Sequence, residues 1–171
     1  ANKYSMVYAT IGVHPHGAST VNDDVIAEMK ALAKDKRVVA IGEIGLDYFH
    51  NLASSEDQTS AFKKFIHLAL ELDLPVILHA READRELLDI LKRECPKGIK
   101  GVMHCFSGSA DLMKECLDLG LYISFTANIT FKKADDRRIV ARDMPPERLL
   151  LETDAPYLAP QAMRGTRNEP A

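Results

Sequence analysis

Val38-Val39-Ala40-Ile41-Gly42-Glu43 is an apolar run that ends on an acid, and its design recurs along the chain. Val7 to Val13 precedes it, and Pro75 to Ala80, Gly101 to Cys105, Tyr122 to Phe125 and Leu149 to Thr153 follow. Each run is short enough for a strand. Val76-Ile77-Leu78 and Leu149-Leu150-Leu151, apolar throughout, predict burial on both faces of a sheet. Between the runs, apolar residues recur three or four positions apart with charge on the opposite face, which predicts helices. These cover Asp23 to Lys34, Glu56 to Leu72, Asp84 to Glu94, Ala110 to Leu119 and Ala134 to Arg142. Gly98 and Gly120 follow two of the helices as stop signals, and Pro75 precedes a strand, where its missing N–H does little harm.

Strands alternating with helices specify an α/β fold with a parallel sheet, either open and doubly wound or closed as a barrel. A glycine-rich phosphate loop after the first strand would favour the open sheet, and Gly12-Val13-His14-Pro15-His16 contains none. The expectation is therefore a TIM-type (β/α) barrel forming a single domain over residues 1–171, with neither linker nor repeat.

The composition of these 171 residues, 46% apolar and 27% charged, is that of a globular chain with a substantial core. A net charge of −3 provides no broad basic field, so attraction to nucleic acid would have to be local. Cys95, Cys105 and Cys116 form no Cys-x-x-Cys pair and read as reduced structural thiols, which suits the cytoplasm. No apolar run approaches the ~20 residues of a bilayer span, and no membrane association is expected.

The chemistry lies where the strands stop. Glu43, His79, His104 and Asp154 each end or follow a predicted strand, and in a barrel those ends share one mouth. Singly, such a histidine is more often a hydrogen-bonded core residue; four such groups at one end predict a metal site. Two imidazoles and two carboxylates suit one or two divalent ions, Mg²⁺, Mn²⁺ or Zn²⁺, with Glu43 as the bridging candidate. Arg81 reads as a phosphate-binding fork or a solvated loop arginine. Asp47 reads as support for the metal ligands or as a turn cap, and Ser107 as part of an anion site or as a plain helix cap. His50 and His67 read as structural, and the basic stretch from Lys132 to Arg142, interleaved with aspartates, as a solvated helix face.

Gly42-Glu43-Ile44-Gly45-Leu46-Asp47-Tyr48, Leu78-His79-Ala80-Arg81, His104-Cys105-Phe106-Ser107-Gly108 and Glu152-Thr153-Asp154-Ala155-Pro156-Tyr157-Leu158 resemble the signatures of TatD-related deoxyribonucleases. The resemblance runs from Gly12-Val13-His14-Pro15-His16 to Arg164-Gly165-Thr166-Arg167-Asn168-Glu169-Pro170, in the family's order. It implies an amidohydrolase-like barrel, one or two divalent metals, and hydrolysis of phosphodiester bonds in DNA with little sequence preference. Glu43 would be the shared metal ligand, with His79 and His104 on one ion. Asp154 would hold the other ion and serve as base toward the attacking water, while Arg164 and Arg167 would contact substrate phosphate and His14 and His16 would contact substrate phosphate or support the metal ligands. The family's opening His-x-His strand has no counterpart here, and the sequence stops after the Arg-Asn-Glu-Pro signature. The expectation is thus about six of eight βα units, lacking the first strand and the last, from a longer monomeric protein. Two other readings stay open: a metal-dependent amide, lactone or aminoacyl-ester hydrolase of the same barrel group, and a catalytically impaired fragment.

Overall fold

A computed structural model describes residues 1–170; of the span expected to form one domain, Ala171 lies outside the described residues. Six strands form one parallel sheet in the order β1-β2-β3-β4-β5-β6: β1 Ala9–Ile11, β2 Val38–Asp47, β3 Val76–Arg81, β4 Gly101–Met103, β5 Tyr122–Phe125 and β6 Leu149–Leu151. Helices α1 Asp23–Leu32, α2 Ser55–Leu72, α3 Asp84–Glu94, α4 Ala110–Asp118 and α5 Asp135–Asp143 fill the connections. A doubly wound sheet reverses its strand order at a switch point. Here the order never reverses, which is the progression of a (β/α) barrel wall.

Local sequence accounts for the helices. Asn22, Ser54 and Ser109 cap α1, α2 and α4 by accepting the backbone N–H groups of Val25, Asp57 and Leu112. Along α2, Phe62, Phe65, Ile66 and Ala69 recur at helical spacing and all are buried. They meet Ile41, Ile44 and Leu46 of β2, Leu78 of β3 and Leu87, Leu88 and Leu91 of α3 in one core. None of the helices is long and apolar enough to cross a membrane.

Two expectations need correction. Strand β2 does not stop at Glu43 but continues to Asp47, pairing Gly45 with His79 and Asp47 with Arg81. Its register slips on the way, because Ile41 faces Val76 whereas Ile44 faces Leu78, so an extra residue is accommodated at Gly42-Glu43. Gly45 has a φ of +143°, and a Cβ there would stand 2.0 Å from the carbonyl oxygen of His79. The glycine marks two backbones in close approach and no turn. The second correction concerns Leu149-Leu150-Leu151. Burial on both faces is not observed: Leu150 is 43% and Leu151 82% exposed, because β6 pairs only with β5 among the described residues.

Candidate metal centre

The bulge in β2 places Ile41, Ile44 and Leu46 in the core and leaves Glu43 half-buried at a cavity of about 880 Å³. His79 on β3, His104 just past β4 and Asp154 beyond β6 line the same cavity, together with His14, His16, Asp47, His50, Arg81 and Ser107. A second cavity, about 750 Å³, opens where the strands begin, bordered by Lys97, Lys100, Tyr122 and Arg148; it holds no cluster of acids and histidines.

Glu43 Oε1 is the hub. His79 Nδ1 lies 2.7 Å from it, and His14 Nε2 and His104 Nε2 each stand 3.8 Å away. His104 Nε2 is also 3.4 Å from Asp154 Oδ1, so the four residues expected to be ligands do converge. His14 joins them more closely than a phosphate contact alone requires, since its ligand atom and those of Glu43 and His79 lie within 4.8 Å of one another. Burial opposes the charge on Glu43, yet the hydrogen bond from His79 and the nearby imidazoles hold its carboxyl below the usual range. Burial beside His79 pushes His14 down to about 4.

On the far side of His104, Nδ1 contacts Glu152 Oε2 at 2.5 Å. Glu152 Oε1 accepts the backbone N–H of Cys105 at 2.7 Å and the Ser124 hydroxyl at 2.5 Å. Burial would lower His104, but Asp154 and Glu152 overcome it and raise the imidazole to about 10. Sequence reading missed Glu152. Its signal was its place directly after the apolar run and two residues before Asp154, in the Glu152-Thr153-Asp154 stretch.

Asp47 is fully buried and is gripped from several directions. Its Oδ2 lies 2.7 Å from both His16 Nε2 and His50 Nδ1, and its Oδ1 accepts the His50 backbone N–H at 2.9 Å. Gln58, also fully buried, accepts the Asp47 N–H at 2.7 Å and donates to its carbonyl oxygen at 3.0 Å. Asp47 is therefore no simple turn cap, and His50, read from sequence as structural, belongs to the cavity. Arg137, read as part of a solvated face, also lines it, as does Asn128.

Arg81 borders the cavity with its guanidinium 4.1 Å from the centre of the Phe49 ring. Ser107 borders it as well, while the capping of α4 falls to Ser109. Arg164 and Arg167 are exposed and outside the cavity lining; Arg164 lies over the Phe131 ring at 4.7 Å.

The chain is 42% identical over 169 residues to the uncharacterized metal-dependent hydrolase YabD of Bacillus subtilis (strain 168), covering 99% of this chain and 66% of that protein. It is 43% identical over 180 residues to the 3'-5' ssDNA/RNA exonuclease TatD of Klebsiella pneumoniae (strain 342), covering 100% of this chain and 67% of that one. The crystal structure of YJJV, a TatD homolog from Escherichia coli K12, superposes with a TM-score of 0.91 at 35% identity, over 99% of this chain and 66% of that structure. The chain thus spans about two thirds of the length of these relatives. The family profile described as TatD related DNase matches residues 1–171. The chain belongs to the TatD related DNase family.

Proposed function

We propose that this chain carries the catalytic cavity of a metal-dependent hydrolase that cleaves phosphodiester bonds in DNA with little regard to sequence. The observation that carries the reading is the Glu43 hub. At 3.8 Å, His14 and His104 are too far from Glu43 Oε1 for hydrogen bonds. Two ligands of one ion, each roughly 2.1 Å from it, stand about 3 to 4 Å apart. Imidazole and carboxylate donors together fit Zn²⁺ or Mn²⁺, and Mg²⁺ where oxygen dominates.

Glu43 and His79 would hold one divalent ion, with His14 or His104 completing its protein ligands, and Asp154 with Glu43 would hold a second. Bound there, divalent ions supply charge to offset a phosphoryl oxygen and make water more acidic. Asp154 has its carboxylate at the cavity, where it would accept a proton from the attacking water. Glu152 fixes the far edge of the His104 ring, so that Nε2 faces the cavity. Arg81, already anchored on Phe49, would offer its planar donors to a non-bridging phosphate oxygen. Two relatives' names point the same way: one is a metal-dependent hydrolase, and the other acts on single-stranded DNA and RNA.

The experiment is cleavage of labelled single-stranded DNA in Mn²⁺ or Mg²⁺, run beside a panel of lactones and aminoacyl esters. Chelation should abolish DNA cleavage, and Glu43→Ala should leave none above background. Cleavage that survives both treatments sinks the proposal. Ester turnover without DNA cleavage moves the reading to an acyl hydrolase of the same barrel group. We place the protein in the cytoplasm, on the strength of three free cysteines, two of them buried, and the lack of a membrane-crossing helix among the described residues.

A further inference from the structure

Beside the Glu43 hub lies a second knot of side chains, on which three imidazoles converge. Asp47 Oδ2 is approached by His16 Nε2 at 2.7 Å, His50 Nδ1 at 2.7 Å and His79 Nε2 at 3.3 Å. One carboxylate oxygen presents about two lone pairs, and Asp47 Oδ1 is already occupied by the His50 backbone N–H. His79 gives its Nδ1 proton to Glu43, so its Nε2 faces Oδ2 with a lone pair, and this nitrogen is buried without a hydrogen bond. A cation held beside it gives the bare nitrogen and the Asp47 carboxylate a common partner.

We infer that His16, Asp47 and His50 form a further cation site, separate from the Glu43 cluster, for a divalent ion of borderline softness such as Zn²⁺ or Co²⁺. Their ligand atoms lie within 4.8 Å of one another. Two imidazoles with one carboxylate is a recurrent donor set for such ions and leaves coordination positions open. The site is also held ready. Gln58 clamps both backbone groups of Asp47 from inside the core and donates in addition to the Ala53 carbonyl oxygen at 2.9 Å. The carboxylate therefore needs little rearrangement to bind. His16 and His50 both border the cavity, so an ion held here would adjoin the space that Arg81 and Glu43 share. An anionic ligand in that space would meet positive charge at a point the Glu43 cluster does not reach. His79 stands between the two clusters, with Nδ1 on Glu43 and Nε2 near Asp47. A neutral imidazole has one bare nitrogen, so His79 serves one cluster at a time. This makes His16 and His50 the residues that report on the further site alone.

The test is Zn²⁺ binding to the 171-residue chain by equilibrium dialysis with elemental analysis, with Co²⁺ absorption spectra as a second readout. Wild type, Glu43→Gln, His50→Gln, His16→Gln and the Glu43→Gln/His50→Gln pair are compared. His50 has 40% of its side chain exposed, so its replacement leaves the core intact, which a circular dichroism melt verifies. His50→Gln should lose one Zn²⁺ equivalent per chain and the matching Co²⁺ bands. Glu43→Gln should keep that equivalent, and the paired variant should lose it. Unchanged stoichiometry and affinity in both His50→Gln and His16→Gln overturn the inference, even if both lower the melting temperature; the knot would then be held by hydrogen bonds alone. Failure of the Glu43 cluster to bind metal appears separately, as identical binding by wild type and Glu43→Gln.

Discussion

His104 shows how two carboxylates set the behaviour of one imidazole. Asp154 faces one ring nitrogen and Glu152 the other, and against the effect of burial they raise it to about 10 from an ordinary 6.5. Because the folded value lies above the unfolded one, the stability it contributes is complete below about pH 6.5 and is lost as pH climbs toward 10. His14 behaves in the opposite sense: burial and the neighbouring His79 lower it to about 4, so the unfolded chain takes up a proton first as pH falls from 6.5. The metal-free chain should therefore melt highest near pH 6.5 and lower on both sides. In a chelator-containing melt series, Glu152→Gln should flatten the alkaline limb; a limb of unchanged slope would place its origin elsewhere. Gly45 is constrained by contact instead of charge. Gly45→Ala would drive a methyl into the His79 carbonyl and should cost about 3 kcal/mol in denaturant unfolding, the upper end for overpacking, with loss of metal affinity as β3 shifts.

At the scale of elements, α2 and β2 divide the labour. The helix supplies the core face that holds β2, and β2 supplies the bulge that brings Glu43 to the cavity. Phe65 is fully buried within that face, and Phe65→Ala should destabilise the chain by about 3–5 kcal/mol in urea unfolding. Ser54→Ala, which removes only the N-cap of α2, should cost about 1 kcal/mol. The contrast separates what packing contributes from what capping contributes in one helix. Gln58 links the element to the site, for it sits on α2 yet bonds the backbone of Asp47. Gln58→Leu should consequently weaken metal binding more than its modest change in volume suggests, measured by the same dialysis.

At the scale of the molecule, the sheet has two edges among the described residues, and β6 bares Leu150 and Leu151. Unpaired parallel edges with apolar side chains invite pairing between chains. The 171-residue chain should therefore associate in a concentration-dependent way in sedimentation velocity, and Leu151→Lys should reduce it; strict monomers at every concentration would contradict this. That edge is also where sequence reading failed, since Leu149-Leu150-Leu151 carries the composition of a strand buried on both faces. Composition states what a strand could bury and says nothing of whether a neighbour is present. The alternation of strands with amphipathic helices determined the α/β fold and its element order, because hydrophobic period and capping are local properties of the chain. The convergence of Glu43, His79, His104 and Asp154 was legible for a related reason: parallel strands carry their ends to one side of a sheet. The continuation of β2 past Glu43, the support of His104 by Glu152 and the convergence of His16, His50 and His79 on Asp47 were decided only by tertiary structure. Each depends on a register shift or on contacts between residues far apart in sequence, and no local pattern encodes a distance across the fold.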